Sequence, residues 1–188
     1  MFAEREGELA RLIADKDTGR VQGLMMELHR SLAKVNPVLG FELGSEADGN
    51  LDFCITPDGE VAAFETPREV VEAAPPIARW KVRCFRQRKD LSTVTIAIGG
   101  VEAEAKDVRY LARFGAKLDL ALLYDLADGV DPEVLYRISA ILLDAALGEF
   151  DAATGIASLE AVNARHPTAL PLLELPAVFD AWRAKIAN

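Results

Sequence analysis

RWKVRCFRQRK, residues 79–89, is the stretch that decides the fold class, because apolar and basic side chains alternate along it. Over residues 79–84 the even positions are apolar and the odd positions are cationic: Trp80, Val82 and Cys84 against Arg79, Lys81 and Arg83. Successive side chains of a β-strand point to opposite faces of its sheet. The pattern therefore predicts a half-buried strand with one apolar and one cationic face. Phe85 interrupts the alternation, which predicts a bulge or the end of the strand.

The residues before this strand also alternate, between positions 41 and 64, and they contain two turn signals. Asp48-Gly49 and Pro57-Asp58-Gly59 are the kinds of sequence that tight reversals require. We therefore predict three strands, near 40–45, 50–56 and 60–64.

A short helix is predicted to follow these strands. Thr66 fits an N-cap, Pro67 the first helical position and Glu69 a capping box, so a helix is expected near 67–74. Pro75-Pro76 ends it after about two turns, because proline cannot continue a helix.

The residues after the basic stretch return to short alternating segments. Val94–Ile98 predicts a strand, and Gly99-Gly100 supplies a two-residue turn into a return strand. The segment 108–125 predicts another hairpin, with a short helix followed by a strand as the alternative. Strands joined mainly by short turns predict a largely antiparallel sheet over residues 40–124.

Helices are predicted at both ends of the chain. Residues 4–14 form a short first helix, and apolar residues then recur at three- and four-residue steps from Val21 to Val35. Near the other end, Asp131-Pro132-Glu133 supplies a cap, a first-turn proline and an early acidic residue. Pro176 begins a last amphipathic helix.

Together these elements predict an α+β fold, in which a largely antiparallel β-sheet of six to eight strands is flanked by N-terminal and C-terminal helices. The chain is long enough for one domain with a substantial core. We expect a single domain over residues 1–188, helical at 1–36, mainly β at 40–124 and helical at 131–188.

Charge is unevenly distributed along this acidic chain. The net charge is −9 over 188 residues, but the basic stretch contributes +6, while the residues before and after it contribute −8 and −7. An acidic chain repels phosphate backbones at long range, so general nucleic-acid binding is not expected. The apolar runs are too short to span a bilayer, and the N-terminus lacks the layout of a signal peptide. We therefore expect no membrane association and a cytoplasmic location.

The first candidate site is the basic stretch itself. Its six cationic side chains are Arg79, Lys81, Arg83, Arg86, Arg88 and Lys89. The planar fork of arginine binds phosphate or carboxylate groups through two parallel hydrogen bonds, which predicts a surface for a small anionic ligand or an acidic protein partner. The alternative is a solvated strand face that neighbouring carboxylates neutralise. Glu102 and Glu104 repeat with the matching two-residue step.

The second candidate site is an acidic group formed by Asp144, Glu149 and Asp151. Paired carboxylates serve general acid–base catalysis and metal binding. Asp144 lies among apolar residues, where an unpaired charge is costly. The alternative is that Asp144 faces solvent on the outer side of its helix. No histidine is near and no metal-type spacing is present, so we expect no metal ion and no cofactor.

Cys84 is a third candidate, because neighbouring arginines favour its thiolate. A nucleophilic cysteine also needs a base, and neither His29 nor His166 is near it in sequence. Cys84 and Cys54 are instead expected to be reduced, half-buried strand residues. Both histidines are expected on the surface.

Three functions fit these residues. The first is a protein-interaction or accessory domain whose partner contacts the cationic strand face or the terminal helices. The second is an enzyme that uses the Asp144, Glu149 and Asp151 carboxylates, with or without a metal ion. The third is a binder of small anionic ligands. The interaction domain is favoured because the sequence contains none of the common nucleotide-binding or hydrolase motifs. A homo-oligomer is compatible with all three.

Overall fold

The computed structural model describes residues 2–45 and 49–186. The chain divides into two compact units, residues 1–85 and residues 86–188, and each has its own hydrophobic core. The boundary falls inside the basic stretch. The single domain expected over residues 1–188 stays a prediction, because a domain is tested by whether it unfolds cooperatively.

The N-terminal unit is an open three-stranded sheet with helices before and within it. Its elements are α1 (Phe2–Ala14), α2 (Thr18–Ala33), β1 (Gly40–Ser45), β2 (Leu51–Thr56), α3 (Glu65–Glu72) and β3 (Trp80–Cys84). The central strand β2 pairs with β1 in the antiparallel sense and with β3 in the parallel sense. Parallel neighbours need a crossover connection, which α3 supplies.

Strand register gives this sheet one apolar and one polar face. Leu43, Phe53 and Val82 lie in one row of partners, so their side chains share a face. Buried residues of that face join those of α1 and α2 in one core: Leu9, Leu12, Leu24, Leu28, Leu32, Phe53, Ile55 and Trp80. The amphipathic helices of the N-terminal segment therefore bury their apolar sides against the sheet.

The C-terminal unit holds two further sheets and three helices. Its elements are β4 (Thr95–Ile98), β5 (Val101–Glu104), β6 (Arg109–Phe114), β7 (Leu118–Tyr124), α4 (Pro132–Leu147), α5 (Glu149–Gly155), β8 (Ile156–Asn163), β9 (Leu170–Pro171) and α6 (Leu175–Ile186). β4 and β5 form a two-stranded antiparallel hairpin, and the other strands form a sheet in the order β8-β7-β6-β9. In that sheet only the β7–β8 pair is parallel among the described strands.

Helix α4 is the central element of this unit. Asp131 caps it, because its side chain accepts a hydrogen bond from the backbone N–H of Glu133 (2.9 Å), and Pro132 follows as the first helical residue. Ile138 and Leu142 are fully buried in the core. The cap predicted from the sequence is confirmed, and Gly148 ends the helix.

The predicted single sheet of six to eight strands is wrong, whereas the α+β class is confirmed. The described strands form three small sheets, of three, two and four strands. Two of the pairings are parallel, β2 with β3 and β7 with β8. In each of these pairs the connection between the two strands contains a helix, so neither pair is a hairpin. Alternation along a strand reveals its two faces but not its neighbours, so the sequence pattern could not show this division.

The start of α3 also differs from the prediction. Residues 60–64 hold a 3₁₀ turn at Val61–Ala63 in place of the predicted strand. α3 begins at Glu65, so Thr66 is inside the helix and is not its cap, and the first turn contains the buried Pro67. Proline is tolerated there because the first N–H groups of a helix have no partner within it.

Two strands, β8 and β9, lie in the stretch 131–188 for which the sequence predicts helices. Ile156 and Leu159 in β8 are three residues apart, as on one face of a helix, and alanine and glutamate are poor strand formers. Parallel pairing with β7 overrides that local preference. The turn predicted at Asp48-Gly49 lies partly outside the described residues, since Asp48 is not among them.

We expect Gly155→Ala to lower the free energy of unfolding by about 1–3 kcal/mol, as overpacking of a core does. A Cβ atom at Gly155 would lie 2.6 Å from Cζ of Phe179, whose ring is fully buried. Urea denaturation monitored by circular dichroism measures the change.

Gly23→Ala is the matched control. Gly23 lies inside α2, and a Cβ there would meet no atom within 4 Å. Alanine should therefore raise the free energy of unfolding by roughly 0.5–1 kcal/mol through helix propensity. Equal effects of the two substitutions would contradict the close packing of Phe179 against Gly155.

Candidate functional site

The residues that follow β3 lie against the junction between α4 and α5. The backbone N–H of Arg86 donates to Oε2 of Glu149 (3.1 Å), and the backbone N–H of Glu149 donates to the carbonyl of Arg86 (3.0 Å). Nearby, the N–H of Lys89 donates to the carbonyl of Ala145 (2.8 Å). Glu149 is only 1 % exposed. A buried carboxylate is stable only when donors replace its water, and Arg86 supplies one.

Two arginines of the basic stretch form ion pairs in this junction. Nη1 of Arg86 lies 3.1 Å from Oδ2 of Asp144. The guanidinium of Arg88 lies 2.8 Å from Asp151 and 2.8 Å from Asp180, and its Nε donates to the carbonyl of Leu147 at 2.9 Å. We call these residues, with Glu149 and Arg183, the arginine–carboxylate cluster: Arg86, Arg88, Arg183, Asp144, Glu149, Asp151 and Asp180.

Arg183 completes the cluster from α6. Its Nη2 donates to Asp151 (3.3 Å) and to Oγ1 of Thr154 (3.2 Å). The guanidinium carbons of Arg88 and Arg183 also lie 6.0 and 5.7 Å from the ring centre of Phe179. Both cations thus lie near an aromatic ring as well as a carboxylate, and both contacts are favourable.

The electrostatics of the cluster follow from these contacts. Hydrogen bonds from Arg88 lower the pKa of the Asp180 carboxyl below its ordinary value. The same hydrogen bond, followed by that to Asp151, raises the pKa of Arg88. Asp180 therefore stays ionised at neutral pH and is suited to hold a cation.

Gly148 makes the close contact between the basic stretch and the α4–α5 junction possible. Its backbone has φ +77° and ψ 151°, a conformation that is almost restricted to glycine. A Cβ atom there would lie 3.2 Å from the carbonyl oxygen of Arg86. The glycine predicted to end α4 therefore also makes room for the basic stretch.

The cationic residues of β3 belong to the N-terminal unit. Arg83 forms an ion pair with Asp52 on β2, with 2.9 Å between Nε and Oδ1. Lys81 lies directly opposite Asp52 in the parallel register and shares its face. Arg79 precedes the strand, is exposed and has φ +68°. This face of the sheet therefore carries both signs of charge.

The carboxylate that pairs with Arg83 is not one of the two that the sequence suggested, Glu102 and Glu104. Glu102 and Glu104 lie on β5, whose strand partner is β4, and Glu104 pairs with Lys106 at 2.6 Å. The partner of Arg83 is Asp52, which the sequence analysis missed because β2 and β3 pair across a helix. The end of β3 at Cys84 is confirmed, with Phe85 at φ +66° after it.

Part of the first predicted charged site is therefore in contact with the second. Arg86 and Arg88 from the first site contact Asp144 and Asp151 from the second, and Glu149 binds the backbone of Arg86. Sequence reasoning missed Asp180 and Arg183, although both follow the predicted helix start at Pro176 on a charged helix face. Among the described residues, no group of three or more histidine, cysteine, aspartate or glutamate side chains is arranged to hold a metal ion.

The cysteines and histidines lie apart from this cluster. Cys54 is buried on β2 and Cys84 is half-buried on β3, and neither forms a disulfide. The register pairs Cys54 with Arg83 and Cys84 with Ile55, so the two thiols point to opposite faces of the sheet. His29 and His166 are exposed.

In comparisons with known proteins, the chain matches no family model, and no curated protein is significantly similar to it. Across residues 2–45 and 49–186, none of the helices combines the length and apolar character that crossing a membrane requires.

We expect Arg88→Met to raise the pKa of Asp180 towards its ordinary value of 3.8, because the hydrogen bonds that lower it are removed. Since the folded pKa lies below 3.8, this ion pair stabilises the fold above about pH 4 and loses its effect as pH falls further. Carboxyl chemical shifts followed by NMR from pH 2 to pH 6 measure the pKa directly.

Arg79→Met is the matched control, because Arg79 is exposed and Arg88 is the residue whose hydrogen bonds lower the pKa of Asp180. It should leave the titration of Asp180 unchanged. An Asp180 pKa that is the same in wild type and Arg88→Met would refute the ion pair.

Proposed function

We propose that the protein is a protein-interaction or accessory domain that binds an extended segment of a partner along the outer edge of β8. One observation carries the proposal. Within the described residues, β7 is the only strand paired with β8, and the one other backbone hydrogen bond to β8 is at its first residue, where the N–H of Ile156 donates to the carbonyl of Ala152. An open strand edge is a ready template for another strand.

The length and composition of β8 favour such pairing. It has eight residues, and its last six run in register with β7 beyond an irregularity at its start. Alternate residues of a strand direct their N–H and C=O groups to opposite edges, so about half of these groups point away from β7. β8 contains no proline and no lysine, which commonly guard sheet edges.

Side chains beside the edge specify the chemistry of the partner. Leu159 and Ala161 pack against the core, so Ser158, Glu160 and Val162 lie on the opposite face, where they are exposed. Glu160 is the only charged side chain of the strand. A partner strand with Lys or Arg opposite Glu160 and an apolar residue near Val162 would form favourable cross-strand pairs, each worth ~0.2–1 kcal/mol.

The other candidate functions draw less support from the contacts. A small anion bound at Arg86 or Arg88 would compete with carboxylates that hold the fold together. Acid–base or metal chemistry at Asp144 and Asp151 would compete with the same arginines. The interaction domain has a second version, in which the partner binds the cationic side chains of the N-terminal unit. Arg79 is the exposed one among them. A cytoplasmic location remains part of the proposal.

Two adjacent proline substitutions, Glu160→Pro and Ala161→Pro, test the edge. Proline removes one backbone N–H, and neighbouring residues direct their N–H groups to opposite edges. One variant should therefore break the ladder with β7 and unfold part of the sheet. The other should keep the fold, as circular dichroism shows, and block the outer edge.

The folded proline variant is then compared with wild type in partner recovery from native lysate and in size-exclusion chromatography with light scattering. Arg79/Lys81/Arg83→Glu serves as a third arm. Loss of one defined partner, or of a wild-type dimer, with the proline variant alone supports β8. Loss with the charge-reversed variant alone would indicate that the partner binds the cationic side chains and not the edge of β8. Unchanged partners and unchanged mass in both would refute the interaction domain in both versions.

A further inference from the structure

The N-terminal unit contains an apolar pocket that no charged candidate site uses. It has a volume of about 260 Å³, is open to the surface, and is lined by residues of α1, α2, β2, α3 and β3 and of the segment between α3 and β3. Its lining residues are Phe2, Ala3, Leu28, Ser31, Leu32, Phe53, Ile55, Val70, Ala74, Pro75, Ile77 and Val82. All of them belong to residues 1–85, so the pocket lies within one compact unit.

The chemistry of the lining is uniform. No lining residue is charged, and Ser31 is the only one with a polar side chain. The Ser31 hydroxyl donates to the carbonyl of Glu27 within its own helix (3.0 Å). A charged ligand group inside this pocket would lose its water and find no ionic partner, which is strongly unfavourable. The lining therefore selects an uncharged, apolar ligand.

Aromatic contacts hold the wall of the pocket in place. The ring of Phe2 stacks on that of Phe53, with 4.2 Å between centroids, and meets Trp80 edge-on at 4.9 Å. The indole N–H of Trp80 donates to Oε2 of Glu6 (3.1 Å). Because α1 is anchored through both an aromatic stack and a hydrogen bond, its first turn forms a fixed side of the pocket.

The volume indicates the size of the ligand. An apolar cavity of about 150 Å³ holds a benzene molecule. A pocket of about 260 Å³ is therefore suited to a molecule larger than benzene. Most of the lining is aliphatic, which suits a flexible chain.

We propose that this pocket binds a small uncharged molecule with an aliphatic chain, of up to about ten non-hydrogen atoms when the six of benzene in about 150 Å³ are scaled to the volume of this pocket. The site is independent of β8 and of the arginine–carboxylate cluster, since it uses none of their residues. A pocket with apolar walls and few polar groups is the usual form of a small-molecule site. The protein would then bind a small molecule as well as a partner.

Titration with 1-octanol tests the proposal, observed in ¹H–¹³C NMR spectra of protein labelled at leucine and valine methyl groups. Saturable shifts are expected at Leu28, Leu32, Val70 and Val82. Octanoate has the same chain length but a carboxylate, so its affinity should be at least tenfold lower. The absence of saturable shifts up to the solubility limit of octanol would overturn the proposal.

Ala74→Phe fills the pocket, because Ala74 lines it. Affinity for octanol should fall at least tenfold. Ala73→Phe is the matched control, since Ala73 is adjacent in sequence, exposed and not among the lining residues. Its affinity should match that of wild type. If both variants bind octanol equally, the alcohol binds elsewhere and the proposal fails.

Val82→Phe fills the same pocket from β3, so the test does not depend on one variant. Phenylalanine suits a strand position. Whichever of Ala74→Phe and Val82→Phe retains the wild-type far-ultraviolet circular dichroism decides the result. Tight binding of octanol by that folded variant would overturn the assignment of the pocket. Neither result bears on partner binding at β8, which the proline variants test separately.

Discussion

The buried carboxylate of Glu149 is the constraint on which the C-terminal unit depends. Removing a carboxylate from water costs several kcal/mol unless donors replace the lost hydration. Here the backbone N–H of Arg86 is a donor, and the backbone of Glu149 bonds back to the carbonyl of Arg86. This exchange joins the first residue of the unit to the start of α5, and it is permitted because Gly148 has no Cβ atom, which would lie 3.2 Å from the carbonyl oxygen of Arg86. These backbone hydrogen bonds hold residue 86 against the start of α5, and the ion pairs of Arg86 and Arg88 add to them.

Local chemistry could be predicted from the sequence, and long-range pairing could not. The cap at Asp131, the turn at Gly99-Gly100 and the alternation of β3 depend on neighbouring residues, and the structure has all three. The division into three sheets depends on which strands meet, and a period of two carries no information about that. The ion pairs of Arg88 join residues 63 and 92 positions away. For that reason the basic and acidic stretches appeared as two sites.

The distribution of charge also changes how recognition would work. The net charge is −9, yet three of the six cations of the basic stretch, Arg83, Arg86 and Arg88, form ion pairs with carboxylates within their own unit. The surfaces proposed for binding are the backbone edge of β8, where Glu160 is the only charged side chain of the strand, and the uncharged apolar pocket. Such surfaces act only at short range, so long-range electrostatic steering would contribute little to the rate of association. Specificity would come from shape, from strand register and from the cross-strand pair at Glu160.

The wide separation of the partners of Arg88 has a consequence during protein synthesis. Translation proceeds from the N-terminus at about 5–20 residues per second. Asp180 is made 92 residues after Arg88, which corresponds to a delay of roughly 5–18 seconds. The N-terminal unit, with its own core, has all of its residues by then. The C-terminal unit lacks its last helix for nearly the whole interval. Arg88 can pair with Asp151, 63 residues on, before Asp180 is made, so its second carboxylate and the packing of α6 are added in a later step.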